Sequence, residues 1–280
     1  MELELLVAAR NQTDCSLPMK MNIQTDAIIG NQCDFNSVEE IEYNNHKIKY
    51  LNFSERGVGL NRNNALMRAG ADILVFADED EKFNDGYADI IKKAYLELPD
   101  ADAIIFNILP IIPGRREIKK VGRVKFFNAL NYGTVRLTVK REAVERENIT
   151  FHRQFGGGTV YSSGEDTLFI VDLLKKGLKI YVYPAFIATV DQTTSTWFEG
   201  YTEKYFYDKG ALFAALSKRW GRLLCSLILF KNKKSLFCDG VSYKQGKKLA
   251  KAGMAGFRKN LSYKQWKETE QGKKSICNSH

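Results

Sequence analysis

Two carboxylates, Asp78 and Asp80, stand two positions apart directly after the nearly all-apolar run Asp72–Ala77. Such a run reads as a buried strand, and in open α/β sheets ligands bind beyond the carboxyl ends of strands. Carboxylates at i and i+2 on that turn can converge on a hard divalent cation. Mg2+ or Mn2+ takes oxygen ligands and often bridges a diphosphate. A solvated acidic loop is the plain alternative. Upstream lies Gly57-Val58-Gly59-Leu60-Asn61-Arg62-Asn63-Asn64. Its glycines let backbone approach a ligand closely, and the free N–H groups of the following helix start suit phosphate. Arg56 and Arg62 add charge-assisted donors; a simple loop is the rival reading. A second acidic pair, Glu165-Asp166, opens another helix-like segment. A carboxylate there can serve as a general base, or it can merely favour the helix dipole.

The elements that must position these groups follow from periodicity. Leu3–Ala9, Asp26–Asn31, Asp72–Ala77 and Asp102–Ile108 read as buried strands. Val38–Tyr43 and Lys47–Phe53 read as a hairpin around Asn44-Asn45. Leu60–Ala69 has helical spacing, with Leu60, Ala65, Leu66 and Ala69 on one side. Asp85–Leu98 reads as a helix stopped by Pro99. Gly164–Lys176 is a further helix and Leu178–Tyr183 a further strand, while Leu109–Gly164 is irregular and holds Gly156-Gly157-Gly158. Buried strands alternating with helices predict an α/β sheet covered on both faces.

The stretch ERGVGLNRNNALMRAGADILVFADEDEKF resembles the central motif block of family 2 glycosyltransferases. Those enzymes carry a Gly-Leu-x-x-x-Arg-Asn-like helix start, a hydrophobic strand and an Asp-x-Asp (DXD) motif in that order. Gly164-Glu165-Asp166-Thr167-Leu168-Phe169 is similar to the family's Glu-Asp motif. Ser195-Thr196-Trp197 is similar to its Ser/Thr-rich segment, so the resemblance covers about residues 3–200. It implies an α/β GT-A domain, Rossmann-like, of the nucleotide-diphospho-sugar transferase type. It also implies a metal-dependent, inverting enzyme using a nucleotide-sugar, a UDP-sugar for preference, with Mn2+ or Mg2+ as cofactor. Asp80 would be the main metal ligand and Asp78 would lie near ribose and metal. Asp166 would be the catalytic base. Asn31, Gln32 and Asp34 would line the base pocket, Asn11 would face the nucleotide, and Arg56, Gly57 and Arg62 would serve the diphosphate. Asp191 stands where many relatives have a His that reaches the metal. The chain departs from the family in Gly30-Asn31-Gln32-Cys33-Asp34, where an Asp-Asp-Gly-Ser type stretch is usual, and in Ala9-Arg10-Asn11, where Pro-x-Tyr/Phe-Asn is common.

Composition bounds the rest. The 280 residues are 44% hydrophobic, enough for an ordinary core, and no run reaches the roughly 20 apolar residues of a membrane span. The start, Met1-Glu2-Leu3-Glu4, lacks a signal-peptide pattern, so a cytoplasmic protein is expected. Five cysteines, at 15, 33, 225, 238 and 277, have no metal or redox spacing and are read as reduced thiols. From Lys204 onward, 18 Lys and Arg face 4 Asp and Glu, a net of +14; the remainder is at −5. The expected division is a catalytic domain over 1–200 and a basic, aromatic, helical extension over 201–280. In the tail, Trp220, Leu223, Leu224, Leu227, Ile228 and Phe230 interleave with Arg and Lys, which fits a peripheral position on an anionic inner membrane face as well as a helical cap. No nucleic-acid motif is present, so no nucleic acid is expected as partner. The resemblance to family 2 glycosyltransferases implies, as acceptor, a saccharide or lipid-linked sugar of bacterial surface polysaccharide synthesis. A nucleotidyltransferase, a basic nucleic-acid-binding protein and an inactive sugar-binding relative stand as alternatives.

Overall fold

The computed structural model describes residues 1–110, 117–191, 200–237 and 240–269. The chain divides into two compact units, Met1–Arg153 with Glu165–Ser195, and Gln154–Gly164 with Thr196–His280.

The first unit is built on one mixed sheet. In chain order its elements are β1 (Leu3–Arg10), α1 (Leu17–Lys20), β2 (Asp26–Gln32), β3 (Ser37–Tyr43), β4 (His46–Phe53) and α2 (Val58–Leu66). Then come β5 (Ile73–Asp78), β6 (Glu81–Phe83), α3 (Tyr87–Glu97), β7 (Ala103–Leu109), β8 (Gly122–Arg123), β9 (Leu137–Lys140), α4 (Arg141–Glu147), α5 (Glu165–Lys175) and β10 (Ile180–Val190). The strand order is β3-β4-β2-β1-β5-β9-β7-β10-β6, with β8 also paired to β10. β4, β2, β1 and β5 run parallel. Their residues, among them Leu5, Val7, Ile29, Ile48 and Val75, are buried, as expected where helices cover a parallel sheet. β9 enters antiparallel between β5 and β7.

Local chemistry explains several boundaries. Asn44 and Asn45 take φ of 49° and 63°, the left-handed pair that a two-residue hairpin turn requires. β10 runs past the expected end at Tyr183, through Pro184, to Val190. It shifts register against β7 between Val182 and Phe186, and such irregularities are where a sheet accepts proline. Helix α2 departs most from its sequence reading. Its buried residues are Gly59, Asn61, Arg62, Asn63 and Ala65, while Leu60 and Leu66 are only half-buried. A polar face, not the leucine face, packs inward.

In the second unit, α6 (Glu203–Leu216), α7 (Gly221–Lys231), α8 (Lys233–Leu236) and α9 (Tyr243–Arg258) follow one another. α6 and α9 pack backbone to backbone: a Cβ at Gly210 would overlap the Ala250 carbonyl, and one at Gly253 the Tyr207 carbonyl. Buried Asp208 of α6 accepts hydrogen bonds from Ser162 N (3.0 Å) and Lys204 Nζ (2.6 Å). That fastens Gln154–Gly164 to the helices. Among the described residues no helix is long and apolar enough to cross a membrane.

Candidate active site

The carboxyl ends of β1, β2, β4 and β5 present one edge of the parallel sheet. Register places Arg10 beside Gln32 and Ala8 beside Asp78. The Gly57 turn is drawn to this edge because Gly57 N donates to Gln32 Oε1 at 2.7 Å. Gly57 caps α2 with φ 125°, a conformation that suits glycine. Behind it α2 lies against the strands. Asn61 Nδ2 donates to the Gly30 carbonyl at 2.6 Å. Asn63 exchanges bonds with Phe151, accepting from its N–H at 2.7 Å and donating to its carbonyl at 2.9 Å.

Arg62 is the centre of the arrangement. It is 3% exposed. Its Nη2 donates to Asp78 Oδ1 at 2.7 Å, and its Nη1 to Asp166 Oδ1 at 2.7 Å and to Glu165 Oε1 at 3.4 Å. Burial opposes its charge, but Asp78, Asp166 and Glu165 outweigh that and hold the guanidinium above its ordinary range. One planar fork thereby ties the end of β5 to the start of α5. Below it lies an aromatic floor. Arg62 sits 5.4 Å over the Phe151 ring, Phe151 stacks on Phe169 at 4.0 Å, and both meet Phe76 edge-on. A dry floor strengthens the ion pairs above it.

The acidic turn is organised from both sides. Glu79 accepts from Arg10 N at 3.0 Å and Gln12 Nε2 at 2.6 Å. Glu81, 2% exposed, accepts from Asp78 N at 2.8 Å, and burial first, then Asp78, pushes its carboxyl well above the usual range. β6 pairs Glu81 with Val190 of β10, so Asp191 N reaches the Asp80 carbonyl at 3.0 Å. Burial and the charges of Asp78, Glu79 and Asp191 push the Asp80 carboxyl up to about 6. Glu165 is pushed to about 7, by burial first and then by Asp166.

The expected residues thus fall into three groups. Asp78, Arg62 and Asp166 are brought together, and Asp191 lies beside Asp80. Arg62 was assigned from sequence to the diphosphate; its terminal nitrogens are instead committed to carboxylates. At the end of β2, Asn31 is buried, accepts from Gln12 N at 2.9 Å and donates to Asn52 Oδ1 at 2.7 Å, so its amide is spent inside the fold. Asp34 is exposed and pairs with Arg56 at 2.6 Å. Asn11 is exposed at φ 53°, its N–H bonded to the Gln32 carbonyl. Ser195-Thr196-Trp197 lies outside the described residues. Sequence reading passed over Thr134, whose Oγ1 donates to Asp166 Oδ1, and over Glu81. Nothing local marks Thr134, whereas Glu81 stood within the quoted acidic stretch.

Among the described residues no three His, Cys, Asp or Glu side chains form a ready metal-ligand group. The donor set is nevertheless all oxygen, and burial, followed by the neighbouring carboxylates, has raised Asp80. That fits a Mg2+- or Mn2+-type site in which one or two carboxylates leave the remaining positions to substrate phosphates.

Residues 34–162 match the family model described as glycosyl transferase family 2. No curated protein matches the chain. Among solved structures, S. aureus TarS 1-349 in complex with UDP-GlcNAc is similar at 13% identity, covering 92% of this chain and 81% of that one, with a TM-score of 0.64. The same S. aureus protein in complex with UDP gives 12% identity, 94% and 93% coverage and a TM-score of 0.58. The longer S. aureus TarS gives 14% identity, 86% and 45% coverage and a TM-score of 0.59. At these identities the likeness is one of fold. By its matched block this chain resembles the family 2 glycosyltransferases, and its fold is of the GT-A type.

Proposed function

We propose that this glycosyltransferase moves a sugar from a UDP-sugar to a hydroxyl of a saccharide or lipid-linked acceptor, inverting the anomeric carbon. The observation that carries this is the mooring of Asp166. Among the described residues its bonds from Arg62 and Thr134 both end on Oδ1, which leaves Oδ2 to accept a proton. An acceptor hydroxyl within reach of Oδ2 loses its proton as its oxygen attacks the anomeric carbon. Attack from the face opposite the departing nucleoside diphosphate inverts that centre.

Arg62 is a positioning residue in this reading. It fixes Asp166 relative to Asp78 while staying out of solvent. Asp80, with Asp78 and Asp191, would hold Mn2+ or Mg2+, which supplies positive charge against the departing diphosphate. The UDP and UDP-GlcNAc complexes of the S. aureus relative support a UDP-sugar donor. The family resemblance supports a bacterial surface polysaccharide, such as capsule or exopolysaccharide, as the product class.

Asp166→Asn tests the assignment. Donor affinity, followed by calorimetry with a panel of UDP-sugars and Mn2+, should persist. UDP release in the presence of saccharide acceptors should fall by about 10²–10⁴-fold. Near-parental release by the Asn variant would remove Asp166 as the base. Absence of any nucleotide-sugar binding by the parent would overturn the reading as a whole.

A further inference from the structure

Helix α7 of the second unit carries large apolar side chains on the side where a surface helix ordinarily carries polar ones. Gly221, Cys225 and Leu229 form its buried face. Opposite them, Trp220 just before the helix and Leu223, Leu227 and Phe230 within it are 53%, 52%, 54% and 67% exposed. Their spacing, i, i+3, i+7 and i+10, keeps all four on one stripe.

Basic groups stand at both ends of the stripe. Arg219 and Arg222 lie at the start, with the Arg219 guanidinium 5.3 Å from the Trp220 ring centre. Exposed Lys231, Lys233 and Lys234 lie at the far end. The basic end continues into α9, because Lys233 and Lys247 both sit over the Tyr243 ring, at 5.9 and 5.5 Å.

We propose that this face of α7 docks on an anionic lipid bilayer. Apolar side chains flanked by Arg and Lys match a surface with hydrocarbon below and negative headgroups above. A second copy of this chain fits worse, since its own stripe would bring the same cations against these. Nucleic acid fits worse too: it offers phosphate for the cations, but nothing that takes up Leu223 and Leu227.

The test uses the full chain with sedimented vesicles of phosphatidylcholine, alone or mixed with phosphatidylglycerol, at two salt concentrations. The parent should pellet with the mixed vesicles and be released by salt. Leu223→Gln with Leu227→Gln should weaken binding by roughly tenfold or more, because the apolar contribution is lost. Arg219→Gln with Arg222→Gln should weaken it and flatten the salt dependence. Melting temperatures of these surface variants should match the parent, which keeps the comparison one of binding. A parent that ignores both vesicles, or binds both equally, overturns the proposal. So does a leucine variant that binds like the parent, or a parent dimer that the leucine variant makes monomeric, which would give the face to a second copy. None of these outcomes bears on sugar transfer, so the two readings stand or fall separately.

Discussion

Helices α2 and α7 depart from the usual distribution of polar and apolar side chains in opposite senses. In α2 the run Asn61-Arg62-Asn63 is buried and bonded to strand carbonyls, the Phe151 backbone and three carboxylates. In α7 Leu223, Leu227 and Phe230, with Trp220 just before the helix, face outward. A buried polar group is tolerated only where its partners are built in, so the α2 face is held rigidly by what surrounds it. An exposed apolar stripe has no such constraint within its own unit. The first arrangement suits a site whose groups must not move; the second suits a surface completed by something outside.

The largest expected effect breaks the α2 half of this contrast. Arg62→Ala leaves Asp78, Glu165 and Asp166 facing one another over an aromatic floor. Removing one partner of a buried pair costs about 3–5 kcal/mol, to be read from urea denaturation. Arg62→Lys keeps the charge but not the fork and should recover only part. A loss under about 1 kcal/mol for Arg62→Ala would mean that the carboxylates relax without it. Next in size is Leu229→Ala on the buried side of α7, where Leu229 is 1% exposed; about 2–5 kcal/mol is expected from the same measurement.

These two positions also mark how far the sequence could be read. Asp78 at the end of a buried strand, the Asn44-Asn45 hairpin and Glu165 at a helix start were legible, because each depends on neighbours within a few residues. The inward face of α2 was not. Periodicity counts apolar residues, and it selected Leu60 and Leu66 while the bonded polar residues packed inside. Thr134 reaches Asp166 only because β9 enters the sheet antiparallel beside β5, and Asp191 reaches Asp80 only through the pairing of β10 with β6. Such contacts are set by long-range register, which no local pattern encodes.

Glu165 supplies a smaller effect with a defined pH window. Its carboxyl rises from 4.5 to about 7 on folding, so the folded state favours the protonated form. The stability this contributes is complete below about 4.5 and is lost as pH rises through about 7. Glu165→Gln removes the ionisation. The variant should melt a few degrees above the parent at pH 8, with the advantage shrinking towards pH 5. Parallel melting curves across that range would show that Arg62 fully compensates the Glu165 charge.

The smallest effect sharpens the α7 half. Leu227 and Leu229 are two residues apart on one helix, with the same side chain and the same helix propensity. If the Leu227 face is open in solution, Leu227→Ala gives up only contacts that water already interrupts, and it should change stability by no more than about 0.5 kcal/mol. The helix itself would not object, since alanine is the better helix former. Denaturant midpoints for Leu227→Ala and Leu229→Ala, measured on the full chain, make the comparison directly. A cost at Leu227 approaching that at Leu229 would mean that the stripe is already covered in the free protein. The apolar side chains would then be part of the core, and the contrast between a site sealed by its own fold and a surface awaiting a partner would fail at its second term.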